Sequence, residues 1–178
     1  MTNPLLEDWS TPFDMPPYDR ITDDDYAEAF EVAMSEAREN IAAIADNQEA
    51  PTFANTIEAL ERADETLSKV LSAFYAIAGA DSNDKREALQ REFSPKLAAY
   101  GSEITMNKAL YDRIAALWEQ KDKLDLTDEQ KRVLYLTHRG FVRAGAQLDG
   151  AERDRLKEVK QRLAVLGTEF TQNLLADE

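Results

Sequence analysis

Proline is concentrated at the start of this chain, and that distribution constrains how the rest can fold. Four of the six prolines lie in residues 1–20, MTNPLLEDWSTPFDMPPYDR, among the aromatic residues Trp9, Phe13 and Tyr18. Proline removes a backbone donor and disfavours a helical conformation in the residue before it, so this stretch is not a helix. Burial of the three rings would stabilise the protein by a few kcal/mol each. We therefore expect residues 1–20 to form an extended strap over a folded body.

The remainder of the chain, residues 21–178, is predicted to be one helical domain. It is rich in Ala, Glu, Leu, Arg and Lys, the residues that cost least free energy in a helix. A chain of 178 residues can bury roughly 70% of its unfolded surface in one domain. The predicted fold is all-α, a multi-helix antiparallel bundle.

Apolar residues recur at spacings of three and four, which is typical of helices with one buried face. Pro95 lies inside the third helix and is expected to kink it. The six predicted apolar faces are Tyr26, Phe30, Ala33, Ala37, Ile41 and Ile44; Ile57, Leu60, Leu67, Leu71, Phe74 and Ala78; Leu89, Phe93, Leu97, Tyr100 and Ile104; Leu110, Ile114, Leu117 and Trp118; Leu134, His138 and Phe141; and Leu156, Val159, Leu163, Leu166, Phe170 and Leu174.

Capping signals indicate where these helices begin. Thr22 with Asp25, and Thr127 with Gln130, have the three-residue spacing of a capping box. Further starts are predicted at residues 81–84 (DSND), after Asn107, and at Asp149 with Glu152.

The last predicted helix has no stop signal. Its apolar face runs nearly to the final residue, and Asp177 and Glu178 place negative charge at the negative end of the helix dipole. An uncapped apolar face needs a surface to pack on. We therefore expect a long C-terminal helix that is cut at residue 178 and continues in a longer protein.

The charge disfavours several classes of partner. With 35 acidic and 21 basic residues the formal net charge is −14, a field that repels nucleic acid and anionic membrane surfaces. No signal peptide is visible in the first residues, and no apolar run approaches the roughly 20 residues that span a bilayer. A cytoplasmic location is expected.

The sequence offers little catalytic chemistry. His138 is the only histidine and there is no cysteine, so three zinc ligands of the usual types cannot be assembled, and HExxH is absent. His138 is expected to be a partly buried structural residue. Ser102, in YGSEI, lacks the second glycine of a nucleophile elbow. The acidic stretches at residues 22–26 and 60–65 fit caps and solvated helix faces. No catalytic or metal-binding residue is assigned, and substrate-binding residues are not identified.

Several stretches in a fixed order resemble one family. NPLLEDW, PPYDRI, DYAEAF, APTFANTIEALE and the segment from FVRAGAQLDG to TEFTQNLL follow the order seen in zinc metallopeptidases of the thimet oligopeptidase family. The stretch AGAQL, residues 144–148, is more similar to the bacterial peptidyl-dipeptidase branch than to oligopeptidase A. One departure is Asp25, where many relatives have histidine; its role in a capping box accommodates the change.

The resemblance implies that the chain is the N-terminal, channel-wall part of a longer peptidase that hydrolyses short unstructured peptides. In the family, zinc is held by HExxH and a downstream glutamate, far beyond residue 178, and none of these ligands maps onto this chain. The resemblance therefore implies zinc in the full-length enzyme, no cofactor in these 178 residues, and no activity of the isolated chain. Its partners would be short peptides and the remaining catalytic portion of the same protein, and exposed apolar faces would favour self-association.

A second interpretation is a stand-alone helical interaction module without enzymatic activity. Several amphipathic helices without a catalytic constellation are compatible with it. The two interpretations differ in whether the reading frame continues after codon 178.

Overall fold

The computed structural model describes residues 2–156, 158, 159, 162, 163 and 166. Over these residues the protein is all-α, as predicted, and contains no strand. Residues 150–156 are helical. The helices with defined bounds are α1 Asp23–Ala45, α2 Ala59–Arg62, α3 Glu65–Ala80, α4 Asp84–Thr105, α5 Lys108–Glu119 and α6 Asp128–Ala144.

The predicted capping boxes start α1 and α6. Asp25 accepts a hydrogen bond from the Thr22 backbone N–H at 2.7 Å. The Thr127 side chain accepts from the Gln130 N–H at 3.2 Å, and the Gln130 side chain accepts in return from the Thr127 N–H at 3.0 Å. Backbone donors that would otherwise lack partners are thereby satisfied, and these two helix starts follow from local sequence.

A first hydrophobic core lies between the N-terminal half of α1, α3 and α4. Its centre is aromatic: Phe30 stacks on Phe93 with ring centroids 3.8 Å apart, and Phe74 meets Tyr26 edge-on at 5.2 Å. The predicted faces of these helices supply most of its members, which confirms their periodicity.

A second core lies between the C-terminal end of α1, the residues around α2, and helices α5 and α6. Its buried residues are Ile41, Ile44, Ile57, Ala63, Leu110, Ile114, Leu117, Leu134, Phe141 and Ala146. Helix α1 contributes to both cores, so the two are joined by one continuous helix.

The predicted second helix is interrupted, which corrects the sequence interpretation. A π-helical turn at Phe53–Glu58 leads into the four-residue α2, and Asp64 then leaves helical geometry with φ −116° and ψ 25° before α3 starts. The Asn40 side-chain amide donates to the Ala63 carbonyl at 3.0 Å and so satisfies a backbone acceptor at the break. The break divides one apolar face between the two cores, with Ile57 in the second and Leu67 in the first.

Helix α4 begins at Asn83, within the predicted capping segment, and the Asn83 side chain accepts from the Arg86 N–H at 2.9 Å. The helix continues through Pro95 to Thr105. The kink predicted at Pro95 stays a prediction.

Helix α6 ends at a Schellman motif centred on Gly145. The Gly145 N–H donates to the Val142 carbonyl and the Ala146 N–H to the Phe141 carbonyl, each at 3.0 Å. Gly145 has φ +93°, and a Cβ built on it would lie 2.1 Å from Leu156 Cδ2. The absence of a side chain therefore permits both the turn and the close approach of residues 150–156. Their helical start fits the predicted cap at Asp149, whereas the end of the last predicted helix lies outside the described residues.

Residues 2–20 contact the body through a few side chains. Leu5 is fully buried in the first core and Trp9 packs against it, with the Trp9 indole N–H donating to the Pro4 carbonyl at 2.9 Å. Short turns occur along the segment. Phe13 is 98% exposed, so the expectation that its ring is buried was wrong. Phe13 lies in a tight turn at residues 12–14 with φ 60°, which directs the chain away from the core.

Candidate functional site

His138 lies in α6 and faces α5, in the partly buried position that the helical spacing predicted. Its ring stacks on Trp118, with centroids 4.9 Å apart and planes 10° apart, and lies 6.0 Å from Tyr111. Burial lowers the pKa of the imidazole, and the positive charge of Lys121 lowers it further. A neutral imidazole between two aromatic rings is a packing element, which agrees with the structural role expected from the sequence.

Tyr135, one turn before His138 in α6, is approached by two arginines. The guanidinium carbons of Arg132 and Arg139 lie 5.4 and 5.0 Å from its ring centroid. Arg139 also donates to the Tyr135 hydroxyl at 3.2 Å. Lys121 places its ammonium 4.7 Å from the Trp118 ring centroid. We call this group the cation–aromatic surface; it consists of Trp118, Lys121, Arg132, Tyr135, His138 and Arg139.

A groove of about 280 Å³ opens on this surface. It is lined by Trp118, Lys121, Asp122, Lys131 and Tyr135. Aromatic walls beside ammonium groups can hold an apolar group and an anion together, which is chemistry suited to binding.

A second groove of about 280 Å³ lies between the π-helical turn, α2 and α6. Apolar side chains of Phe53, Ile57 and Val133 line it together with the carboxylates of Glu58, Glu61 and Glu129. Sequence reasoning missed this groove because its walls come from segments about seventy residues apart. Glu61 belongs to the acidic stretch at residues 60–65 that was interpreted as a solvated helix face.

Arg113 is a buried cation that the sequence pattern did not predict. It is 7% exposed and lies in α5. One terminal nitrogen donates to the carbonyls of Asn47 and Glu49 at 2.6 and 3.0 Å, and the other donates to Asn55 Oδ1 at 3.0 Å. All these partners are neutral oxygens, from the segment that follows α1 and from the π-helical turn itself. Arg113 therefore links this part of the chain to α5.

The acidic cluster at residues 22–26 is structural, as the sequence predicted. Asp23 accepts from Asn83 Nδ2 at 2.9 Å and from Arg86 Nε at 2.7 Å, which links the starts of α1 and α4. Burial raises the pKa of the Asp23 carboxyl, but these hydrogen bonds and the positive charges of Arg86 and Lys85 outweigh it and hold the pKa below its ordinary value. Asp24 pairs with Lys85, and Asp25 completes the capping box.

Ser102 is not placed as a nucleophile. Its hydroxyl donates to the Ala98 carbonyl one turn earlier in α4, at 2.9 Å. This is the usual local hydrogen bond of a helical serine.

Within the described part of the chain no group of three or more His, Cys, Asp or Glu side chains is arranged to hold a metal ion. The residues described therefore do not fit a zinc centre. Likewise, no helix among these residues is both long and apolar enough to cross a membrane.

Three apolar side chains among the described residues after Leu156 are exposed. Val159 is 38%, Leu163 62% and Leu166 42% exposed. These residues belong to the apolar face predicted for the last helix. The prediction that this helix is cut at residue 178 lies outside the described residues.

Comparison with known proteins places this chain in a family. A family model described as "Neurolysin/Thimet oligopeptidase, N-terminal domain" matches residues 30–153. The chain is 41% identical over 175 residues to a dipeptidyl carboxypeptidase of Salmonella typhimurium and 38% identical over 174 residues to one of Escherichia coli. Each match covers 98% of this chain and 26% of the relative. Oligopeptidase A of Escherichia coli is 27% identical over 176 residues, with 98% of this chain and 25% of the relative covered.

The chain thus spans about a quarter of the length of these curated relatives. The family match covers most of α1 and the helices that follow it through α6. The resemblance found in the sequence is therefore confirmed: the chain belongs to the neurolysin/thimet oligopeptidase family and corresponds to its N-terminal domain.

Proposed function

We propose that this chain is the N-terminal part of a zinc-dependent metallopeptidase of the peptidyl-dipeptidase type, which hydrolyses short unstructured peptides in the cytoplasm. The observation that supports it most is identity of 41% and 38% with two dipeptidyl carboxypeptidases over nearly the whole chain. The lower identity to oligopeptidase A, 27%, favours the peptidyl-dipeptidase type over the oligopeptidase type.

The helices of this chain would form one wall of the channel that admits peptides. An all-α body held by two cores suits such a role, because a wall must keep its shape while peptides pass along it. Catalysis and zinc binding would belong to the remaining portion of the same protein, which would also be the main partner of these helices.

The 178 residues alone would be inactive. Zinc sites of peptidases need several His or carboxylate ligands around an open position, and this sequence has one histidine, no cysteine and no HExxH.

The test has two parts. The purified chain is incubated with zinc and an internally quenched peptide, with and without a chelator, and its zinc content is measured after dialysis. We expect no chelator-sensitive cleavage and no stoichiometric zinc. In parallel the source gene is sequenced onward from codon 178, where a continuing frame with one HExxH and a downstream glutamate is expected. Chelator-sensitive cleavage by the 178 residues would refute their inactivity, and an immediate stop codon would leave a helical interaction module instead.

A further inference from the structure

Most of the cation–aromatic surface lies on a stretch of α6 without negative charge. Residues 131–148 contain Lys131, Arg132, Arg139 and Arg143 but no aspartate or glutamate, although the chain has 35 acidic and 21 basic residues and a net charge of −14. Attraction for anions is therefore local to α6 beyond its first turn, which carries Asp128 and Glu129.

The two arginines beside Tyr135 are not neutralised by carboxylates. Elsewhere arginines are paired across helices, as in Arg38 with Glu103 at 2.8 Å and Arg86 with Asp23 at 2.7 Å. Arg132 and Arg139 contact the Tyr135 ring instead, and within the described residues neither forms an ion pair. A guanidinium whose flat face lies on an aromatic ring keeps its edge N–H groups available for a carboxylate.

The groove supplies an apolar subsite next to these cations. Its aromatic walls, Trp118 and Tyr135, have ring centroids 5.9 Å apart. Lys121 lies over the Trp118 ring, keeps 37% of its side chain exposed and pairs with the exposed Asp122 at 3.4 Å. Lys131, which also lines the groove, keeps 53% of its side chain exposed and pairs with the fully exposed Asp128 at 3.8 Å. The two rings contact each other, so an apolar side chain of a ligand would lie against them in the groove and not between them.

The negative net charge of the chain favours a short anionic ligand over a long one. Charges more than about 8 Å apart are largely screened at physiological ionic strength, so a short anion on α6 interacts mainly with the local cations. A long polyanion would extend over the acidic remainder of the surface and be repelled. A peptide segment with a few carboxylates fits this surface better than nucleic acid.

We propose that the cation–aromatic surface binds a short acidic peptide segment, with carboxylates on Arg132 and Arg139 and an apolar side chain in the groove that Trp118 and Tyr135 line. This inference concerns binding by the chain itself and does not rest on the proposed peptidase function, so either can fail without the other.

Binding is measured through the fluorescence of Trp118 in the 178-residue chain carrying Trp9→Phe, which leaves Trp118 as the only tryptophan. The probes are the blocked pentapeptide Glu-Glu-Phe-Glu-Glu, its analogue with all four Glu replaced by Gln, and a single-stranded oligodeoxynucleotide. We expect saturable quenching by the acidic peptide with a Kd about tenfold lower than for the Gln analogue, since two exposed ion pairs contribute up to about 1 kcal/mol each. The difference should shrink with added salt. Equal affinity for the two peptides, or tighter binding of the oligodeoxynucleotide, would overturn the proposal.

The arginines are tested with a charge-matched pair of double variants. Arg132→Gln with Arg139→Gln should weaken binding of the acidic peptide about tenfold. Arg91→Gln with Arg155→Gln removes the same charge from exposed helical positions, where side chains are 70% and 73% exposed, and should change the Kd less than about twofold. Circular dichroism checks that both doubles are folded. Equal weakening of peptide binding in both double variants would mean that only the net charge matters, and it would overturn the proposal. If the variant with Arg132→Gln and Arg139→Gln does not fold, the comparison of the acidic peptide with its Gln analogue still tests the proposal.

Discussion

At the scale of single residues, the least expected feature is the positive charge of Arg113 in the second half of the molecule. Burial of a charge is costly unless hydrogen bonds replace its water. Neutral oxygens of Asn47, Glu49 and Asn55 accept from the two terminal nitrogens, whereas Nε has no partner among the described residues. Because these acceptors lie between the end of α1 and the π-helical turn, the arginine ties this stretch to α5.

Replacement of Arg113 by methionine tests this role. The carbonyls of Asn47 and Glu49 would lose their charged donor while remaining partly buried, so we expect the free energy of unfolding to fall by about 2–4 kcal/mol. Urea denaturation measures the change. Arg91→Met, at a position 70% exposed, is the matched control and should change stability by less than about 0.5 kcal/mol. Similar small losses in both variants would show that Arg113 is not a structural anchor.

His138 makes stability depend on pH in a predictable direction. Burial and the charge of Lys121 lower the pKa of His138 in the folded protein. On acidification the unfolded chain therefore takes up a proton on this histidine near the usual pKa of about 6.5, whereas the folded protein takes it up only at lower pH. The contribution of neutral His138 is therefore present above about pH 6.5 and is lost as the pH falls below it.

The measurement compares wild type with His138→Gln by urea denaturation between about pH 7.5 and 5. Carboxylates titrate equally in both proteins, so the difference in unfolding free energy isolates the histidine. We expect wild type to lose more stability than the variant on acidification. Parallel curves over the whole range would contradict the lowered pKa.

At the scale of elements, the sequence predicted where helices start but did not predict the break inside the second predicted helix. Thr22 with Asp25 and Thr127 with Gln130 satisfy backbone groups within four residues, so local chemistry decides them. At the break before α3, the Ala63 carbonyl accepts a hydrogen bond from the side chain of Asn40, which is more than twenty residues away in the sequence. A periodic apolar pattern carries no information about such a contact.

The end of α6 offers a test with its own control. Gly145→Ala would place a Cβ 2.1 Å from Leu156 Cδ2 at φ +93°, so we expect a loss of at least about 1–2 kcal/mol from the backbone conformation alone. Gly140→Ala lies in the same helix with nothing within 4 Å of the new Cβ, and should stabilise by about 0.5–1 kcal/mol. Thermal unfolding of the two variants should thus shift in opposite directions. Stabilisation by Gly145→Ala would contradict the left-handed conformation of this residue.

At the scale of the whole molecule, the all-α class was predictable whereas the division into two cores was not. Helix formers and apolar faces specify helices, but a face such as that of α1 does not say which helix covers each part of it. The candidate binding surface shows the same limit. The sequence predicted a partly buried His138, whereas the groove beside it requires α5 and α6 to be set against each other, with Trp118 and Tyr135 as its walls.

The continuity of α1 through both cores has a mechanical consequence. Its 23 residues span about 34 Å without a break, and Phe30 in the first core lies about 21 Å along the axis from Ile44 in the second. A tilt of about 5° centred on Phe30 would displace Ile44 by about 2 Å, more than the axial rise of one residue. A change of tilt at one core would therefore displace side chains that are packed in the other.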